Sequence, residues 1–288
     1  MVSIVIPLYQ GERYLAALLS SLAAQVDAPT FEVLVADNGS TDAGREVASS
    51  FHGSLELRVI DAGARQGQTY ARNQGAAAAA GSKLLFLDQD DVVNDRYVAS
   101  MCAALDAHDI VGARMDRFRL NPGWRAGVRQ LAQETGLAAG PPHPWAYGGT
   151  LGVRRERFDQ VGGFDERLTI AAEDEDLCWR LQAQGATIAF VPDAIVHYRL
   201  PDSWRALFRQ GRRYGLAQVQ VDTLHAANGR VSPTVWSQCR RILVEAPRAM
   251  LSPVTARRWT FAFLLGRRLG TLRGLWERRL RSGARDPG

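Results

Sequence analysis

Along the first hundred residues, short apolar runs alternate with stretches whose apolar positions fall three and four apart. Residues 3–9, 31–37, 55–60 and 84–88 are continuous apolar runs, without the polar alternation of a half-exposed strand. Strands of that kind are covered on both faces, which predicts a parallel sheet built from βαβ units. Between them, residues 12–25 put Tyr14, Leu15, Leu18, Leu19 and Leu22 on one helical face. Helices are also predicted over residues 42–51, 69–80 (Ala-rich, ended by Gly81) and 95–108. The result is a doubly wound α/β half whose polar residues gather at the strand ends, where open α/β sheets bind ligands.

Regularity fades after Val111. Residues 113–147 hold Pro122, Pro141, Pro142 and Pro144 among several glycines, and read as irregular loop with one helix around 125–134. A strand (148–154), a short helix (156–161), the turn Gly162-Gly163-Phe164-Asp165, a helix (174–184) and a strand (187–191) follow, and Arg-rich helical sequence runs from Arg199 to the end. There Phe261, Leu265, Leu269, Leu272, Trp276 and Leu280 recur every three or four residues and mark one helical face. Two readings fit: the stripe packs on the rest of the chain, or it lies on anionic lipid, where each Arg adds about 1 kcal/mol. Gly266, Gly270 and Gly274 weaken this helix by about 1 kcal/mol each relative to Ala unless they permit close packing.

Charge sharpens that division. The formal net charge of +5 is a cancellation, because residues 1–200 carry 18 basic and 25 acidic side chains and residues 201–288 carry 17 and 5. Only Lys83 among the basic residues is a lysine, a bias expected of a GC-rich genome. Cys102, Cys178 and Cys239 form no CxxC pair and no zinc spacing, which argues against a disulfide framework and for a reducing cytoplasm. The N-terminus lacks the features of a signal peptide and no run approaches the ~18–20 apolar residues of a membrane span, so any membrane contact is expected from the side. Nucleic acid is not expected as a partner, since the basic segment has no recognition motif and few interleaved aromatics.

The candidate chemistry lies in the acidic part. Asp88, Asp90 and Asp91 end an apolar strand, and three carboxylates there repel one another unless a hard cation such as Mg²⁺ or Mn²⁺ offsets them. A helix N-cap explains one such acid, not three. Asp37-Asn38-Gly39-Ser40-Thr41-Asp42 closes another strand as a turn, and with the following helix start offers Asp37 and backbone N–H groups to a base or ribose. Arg72 opens a small-residue helix at the same sheet edge and suits a base or diphosphate. Glu173, Asp174, Glu175 and Asp176 crowd one helix start; the macrodipole accounts for part of this, and a carboxylate among others has the raised proton affinity of a general base. His197 follows the last apolar strand.

Pro7-Leu8-Tyr9, Val35-Ala36-Asp37-Asn38-Gly39-Ser40-Thr41-Asp42, Ala71-Arg72-Asn73, Leu87-Asp88-Gln89-Asp90-Asp91, Gly162-Gly163-Phe164-Asp165-Glu166 and Glu173-Asp174-Glu175-Asp176-Leu177 occur in the order found in family 2 glycosyltransferases, which this chain resembles over residues 1–200. The resemblance implies a GT-A fold: a mostly parallel central sheet with helices on both faces, plus a C-terminal helical extension. It implies a catalytic domain over 1–200, with a nucleotide-sugar-binding half (1–111) and an acceptor-binding half (112–200); the Arg-rich helical extension over 201–288 lies largely outside the resemblance. It further implies inverting, metal-dependent, non-processive transfer from a nucleotide-diphosphate sugar. Asp174 would be the base; Pro7, Tyr9, Asp37, Arg72, Asp88, Asp90 and Asp91 would bind donor; Glu173 and Trp179 would face acceptor. Asp88, Asp90 and His197 would hold Mg²⁺ or Mn²⁺. Gln10 and Ala36 depart from the usual Asn and Asp, and Trp179-Arg180 replaces the Gln-x-x-Arg-Trp motif of the processive synthases. The expected acceptor is a hydroxyl, on the bacterial pattern often lipid-linked, reached through membrane contact by 255–282 at the inner membrane face. The alternatives are a sugar-phosphate nucleotidyltransferase, of which Gln10-Gly11-Glu12-Arg13 is a faint echo, and a non-catalytic sugar-nucleotide-binding scaffold.

Overall fold

The computed structural model describes residues 1–121, 123–228 and 230–283. Pro122 of the expected loop, and residues 229 and 284–288 of the expected extension, lie outside it. The described residues form two compact units. The first comprises Met1–Leu120, Leu131–Thr169 and Glu173–Arg199; the second comprises Asn121–Gln130, Ile170–Ala172 and Leu200–Gly288.

The first unit is an eight-stranded mixed sheet in the order β3-β2-β1-β4-β7-β6-β8-β5. Strands β1 (Val2–Leu8), β2 (Phe31–Asp37), β3 (Leu57–Asp61) and β4 (Lys83–Phe86) are mutually parallel. Their apolar runs are buried on both sides, as the lack of alternation requires. Ile4, Ile6, Leu8, Val33 and Val35 face a core shared with α1 (Leu15–Ala23), Ala48 of α2 (Gly44–Ser49) and α4 (Tyr97–Ala107). Val5, Leu34, Leu84 and Phe86 face a second core with Ala76 of α3 (Gln68–Ala78), Phe158 of α5 (Arg155–Gln160) and α6 (Glu173–Ala183). Pro7 sits in β1 beyond the last residue paired with β4, so its missing N–H breaks no bond on that side.

Past residue 108 the sequence expectations need correction. The loop expected from 113 begins inside a full strand, β6 (Ile110–Asp116), masked in the sequence by Gly112 and Arg114. Gly112 is there for space, since a Cβ would fall 2.7 Å from that of Ala146. The helix expected around 125–134 is only a 3-10 turn, Gly123–Gly127. Strand β7 (Leu151–Arg154) is antiparallel to β4 and β6, and β5 (Val92–Val93) is antiparallel to β8 (Ile188–His197). The last strand continues past Pro192 to His197 through an irregularity opposite Ala113 and Arg114. Because β6 and β8 run in the same sense as β1 to β4, Asp37, Asp88, Asp116 and His197 all lie at carboxyl ends on one edge of the sheet.

The second unit is dominated by α7 (Trp204–Leu224), α8 (Val235–Met250) and α9 (Thr255–Gly283). Helices α7 and α9 pack in parallel with backbones in contact: Gly211 and Gly215 lie against Phe263 and Arg267, while Gly266, Gly270 and Gly274 lie against Phe208, Arg212 and Val219. The glycines cost helix propensity and make this approach possible. Consequently the face of α9 that is buried is Phe263, Gly266, Gly270, Thr271, Gly274 and Leu275, not the expected apolar stripe, whose Leu269, Trp276 and Leu280 are exposed. Among the described residues no helix is long and apolar enough to cross a membrane.

A side chain at Gly270 would strike the Arg212 carbonyl oxygen. Gly270→Leu is therefore expected to cost about 1–3 kcal/mol or more through overpacking, read as a lowered thermal midpoint by far-UV circular dichroism. Gly53→Ala, where a Cβ meets nothing within 4 Å, should leave it unchanged.

Candidate active site

The site is organised by a buried cation. Arg72, on α3, is 2% exposed and donates from Nη2 to Asp88 Oδ1 at 2.7 Å and from Nη1 to Glu173 Oε1 at 2.6 Å. Burial works against its charge, and the facing carboxylates of Asp88 and Glu173 more than offset that, so its pKa is raised. Its guanidinium carbon lies 5.6 Å from the Phe164 ring centre. The opposite wall is backbone: a Cβ at Gly148 would fall 2.5 Å from Arg72 Nη1, and one at Gly149 2.6 Å from Asp88 Oδ2. Neither glycine belongs to a motif named above; the adjacent Gly-Gly pair at a strand start is the sequence signal for such close approach.

Around this bridge the acidic segments take separate roles. Asp88 also accepts from Gln68 Nε2 at 2.7 Å. Gln89 holds the first loop by donating to the Tyr9 carbonyl at 2.9 Å and accepting from the Tyr9 N–H at 2.8 Å. Burial and the neighbouring Asp88 carboxylate push Asp90 up to about 6. Burial, then Asp90 and Asp88, raise Asp91 well above the usual carboxylate range, although it accepts from the Arg199 N–H at 3.0 Å. Two carboxylates of raised proton affinity, Asp90 and Asp91, crowded beside Asp88 are a donor set that a hard cation relieves.

The second acidic segment divides likewise. Glu173, buried against Arg72, is pushed up to about 7 by burial and by Asp174 despite that cation. Asp174 is only part-buried; its Oδ2 accepts from the Gly148 N–H and its Oδ1 from the Glu175 N–H, each at 2.8 Å, and burial raises its pKa. Asp176 pairs with Arg180 at 2.7 Å, within one helical turn. Trp179, expected on the acceptor side, is instead core: it is buried, donates from Nε1 to the His143 carbonyl at 2.7 Å, and meets Trp145 edge-on.

At the other end of the edge, Asp37 is buried and satisfied internally, accepting from the Ser40 N–H and pairing with Arg45, both at 3.0 Å. Asn38, within the Asp37 motif, anchors the following loop by accepting from the Gly67 N–H at 2.7 Å and donating to the Arg65 carbonyl at 2.7 Å. Tyr9 is exposed, whereas Pro7 is buried in β1. His197 is not gathered with Asp88 and Asp90 into one ligand set. Its Nδ1 bonds Asp116 Oδ2 at 2.7 Å and its Nε2 faces Arg119 Nη1 at 3.1 Å. Since Arg only donates, Nε2 is the acceptor and Nδ1 carries the proton. Asp116 and Arg119 become site neighbours only because residues 110–116 form β6 and not the expected loop. Among the described residues no three His, Cys, Asp or Glu side chains form a preassembled metal group.

The Glycosyl transferase family 2 model matches residues 3–162, and the Glycosyl transferase family group 2 model matches residues 83–276. Validoxylamine A glucosyltransferase of Streptomyces hygroscopicus subsp. limoneus is 32% identical over 221 residues, covering 64% of this chain and 48% of that protein. The poly(ribitol-phosphate) beta-N-acetylglucosaminyltransferase TarS of Staphylococcus aureus is 34% identical over 108 residues, 37% of this chain and 19% of TarS. This chain thus spans about half or less of the length of these curated relatives. In fold it is similar to TarS solved with UDP-GlcNAc (TM-score 0.56, 20% identity, 94% of this chain and 91% of that one). It is also similar to the mannosyltransferase PcManGT of Pyrobaculum calidifontis solved with GDP-Man and Mn²⁺ (TM-score 0.67, 17% identity, 96% and 87%).

Two outcomes test the bridge. Arg72→Met leaves Asp88 and Glu173 without their cation and is expected to cost about 3–5 kcal/mol of stability, measured by urea unfolding. Glu173 and Asp90 bind protons more tightly folded than unfolded, so stability should fall as pH rises from about 4 to about 7. Glu173→Gln should flatten that slope in urea midpoints taken across the range; an unchanged slope contradicts the assignment.

Proposed function

The chain belongs to glycosyl transferase family 2, and from that premise we propose that it transfers a sugar from a nucleotide-diphosphate sugar to an acceptor hydroxyl with inversion, one addition at a time. The observation that carries this reading is the Arg72 bridge, which brings the Asp88 segment and the Glu173-Asp174 segment within reach of a single guanidinium. That juxtaposition supports a donor-binding set working beside a base, a pairing that a binding scaffold does not need.

In this reading Asp174 takes the proton of the acceptor hydroxyl as its oxygen attacks the anomeric carbon. The nucleoside diphosphate leaves from the opposite face, carrying the electrons of the broken glycosidic bond. The backbone N–H groups of Gly148 and Glu175 fix the carboxylate's orientation, so the proton is taken at a defined position. Glu173, engaged with Arg72, shapes the acceptor side through that bond. Tyr9 and the Asp37 turn border the donor's base and ribose, with Gln89 holding Tyr9 in place. Arg72 serves the donor by orienting Asp88, since both its terminal nitrogens are engaged. Asp88 and Asp90, with Asp91 behind them, would hold Mg²⁺ or Mn²⁺, whose charge would offset that of the diphosphate. His197, as oriented by Asp116 and Arg119, contributes at most from outside that set.

The acceptor is proposed to be lipid-linked and met at the cytoplasmic face of a membrane, with contact through 255–282. Support comes from the exposed Leu269, Trp276 and Leu280, and from an apolar groove of about 560 Å³ lined by Trp204, Phe208, Trp259, Phe261 and Leu265.

Nucleoside diphosphate release from UDP-, GDP- and dTDP-sugars with Mg²⁺ or Mn²⁺, in the presence of candidate acceptors, tests the reading. Asp174→Asn should lower transfer by about 10²–10⁴-fold while donor affinity, measured by calorimetry, is kept. Undiminished transfer would remove Asp174 as the base.

A further inference from the structure

Helix α8 is packed inside out. Gln238 and Ala249 are buried, Ile242 is half-buried between them, and Glu245 pairs across to Arg268 of α9 at 3.3 Å, so polar side chains share the edge of α8 that meets its neighbour. Gln238 Oε1 also accepts from Arg268, at 3.3 Å. On the other side Trp236 is 73% and Leu243 72% exposed, seven residues apart and therefore on one face two turns along the helix. Pro247 continues the same face and is exposed as well. A helix ordinarily spends its large apolar side chains on its own core. Here the sequence is amphipathic and the fold leaves the apolar face in water.

The charge around that face says what covers it. Arg240, Arg241 and Arg248 are exposed on α8 beside the apolar side chains, in a segment with 17 arginines against five carboxylates. Three of those five, Asp222, Glu245 and Glu277, are paired with arginines of the same unit, which leaves the surface strongly positive. Trp and Leu on one face with arginines flanking them is the pattern of a helix lying in a lipid headgroup region, where the apolar side chains enter the acyl boundary and the guanidinium groups meet phosphates. A protein partner would have to carry an acidic rim around an apolar pocket to match it; an anionic bilayer offers both everywhere.

We propose that α8, through Trp236 and Leu243 flanked by Arg240, Arg241 and Arg248, docks this protein on an anionic bilayer. This moves the principal contact from the 255–282 stripe to the preceding helix. The choice of a bilayer rests in part on the lipid-linked acceptor proposed above, so binding is measured without donor or acceptor and separately from transfer.

The test is co-sedimentation of the full chain with vesicles of 30% phosphatidylglycerol in phosphatidylcholine, against vesicles of phosphatidylcholine alone, at low and high salt. The wild-type chain should bind the anionic vesicles and weaken with salt. The pair Trp236→Ser with Leu243→Ser should lose at least roughly tenfold in partition. The triple change of Arg240, Arg241 and Arg248 to Gln should lose roughly fivefold per residue at low salt. All these positions are exposed, so unchanged circular dichroism is expected to accompany each loss. Failure of the wild-type chain to bind, or binding by both variants as strong as its own, overturns the proposal. So does concentration-dependent dimerisation in analytical ultracentrifugation that the Trp236/Leu243 pair abolishes, because a second copy then covers the face. Lost transfer with intact binding would count against the glycosyltransferase reading and leave this one standing.

Discussion

One buried guanidinium holds the chemistry of the sheet unit together. Arg72 and Glu173 stand 101 positions apart in the chain, yet a 2.6 Å hydrogen bond joins them, and Asp88 closes the bridge from the other side. Removing a cation from water is expensive, and only two well-placed carboxylates make the burial tolerable. The constraint propagates outward. Gly148 and Gly149 must lack side chains for the guanidinium and Asp88 to fit, and the same Gly148 N–H that results from this close approach steadies Asp174.

Proton affinity follows from the same arrangement. Burial first, and then more carboxylate than one cation neutralises, keeps the pKa values of Glu173 and Asp90 raised even beside Arg72 and near Arg199. The site stores this repulsion as a pH-dependent cost to the fold. Asp37, Asp116 and Asp176, by contrast, are each matched with an Arg or His and serve to position backbone and side chains.

The helical unit obeys a different rule. There the closest contact is between backbones, at glycines, and the large apolar residues are displaced from the interface. This is why the Phe261-to-Leu280 stripe points outward in part and why α8 turns Trp236 and Leu243 to the surface. Helix periodicity identifies a face; it does not say whether side-chain area or close backbone approach wins the interface.

The reach of the sequence can be traced residue by residue. Apolar runs without alternation specified β1 to β4 and their helices, because covering both faces of a strand leaves a purely local signature. The same local signal placed Asp37, Asp88, Asp90 and Asp174 at strand ends and a helix start. It failed where local pattern and tertiary role part company: Gly112 and Arg114 broke the apolar run of β6, and with β6 went the partner of His197. Trp179, in a polar helix, carried no mark of being core. Which carboxylate Arg72 would meet, which of four clustered acids stayed accessible, and which side of α8 and α9 met water were decided only in three dimensions. Burial, charge neutralisation and steric fit depend on neighbours that are remote in sequence, and no spacing along the chain encodes them.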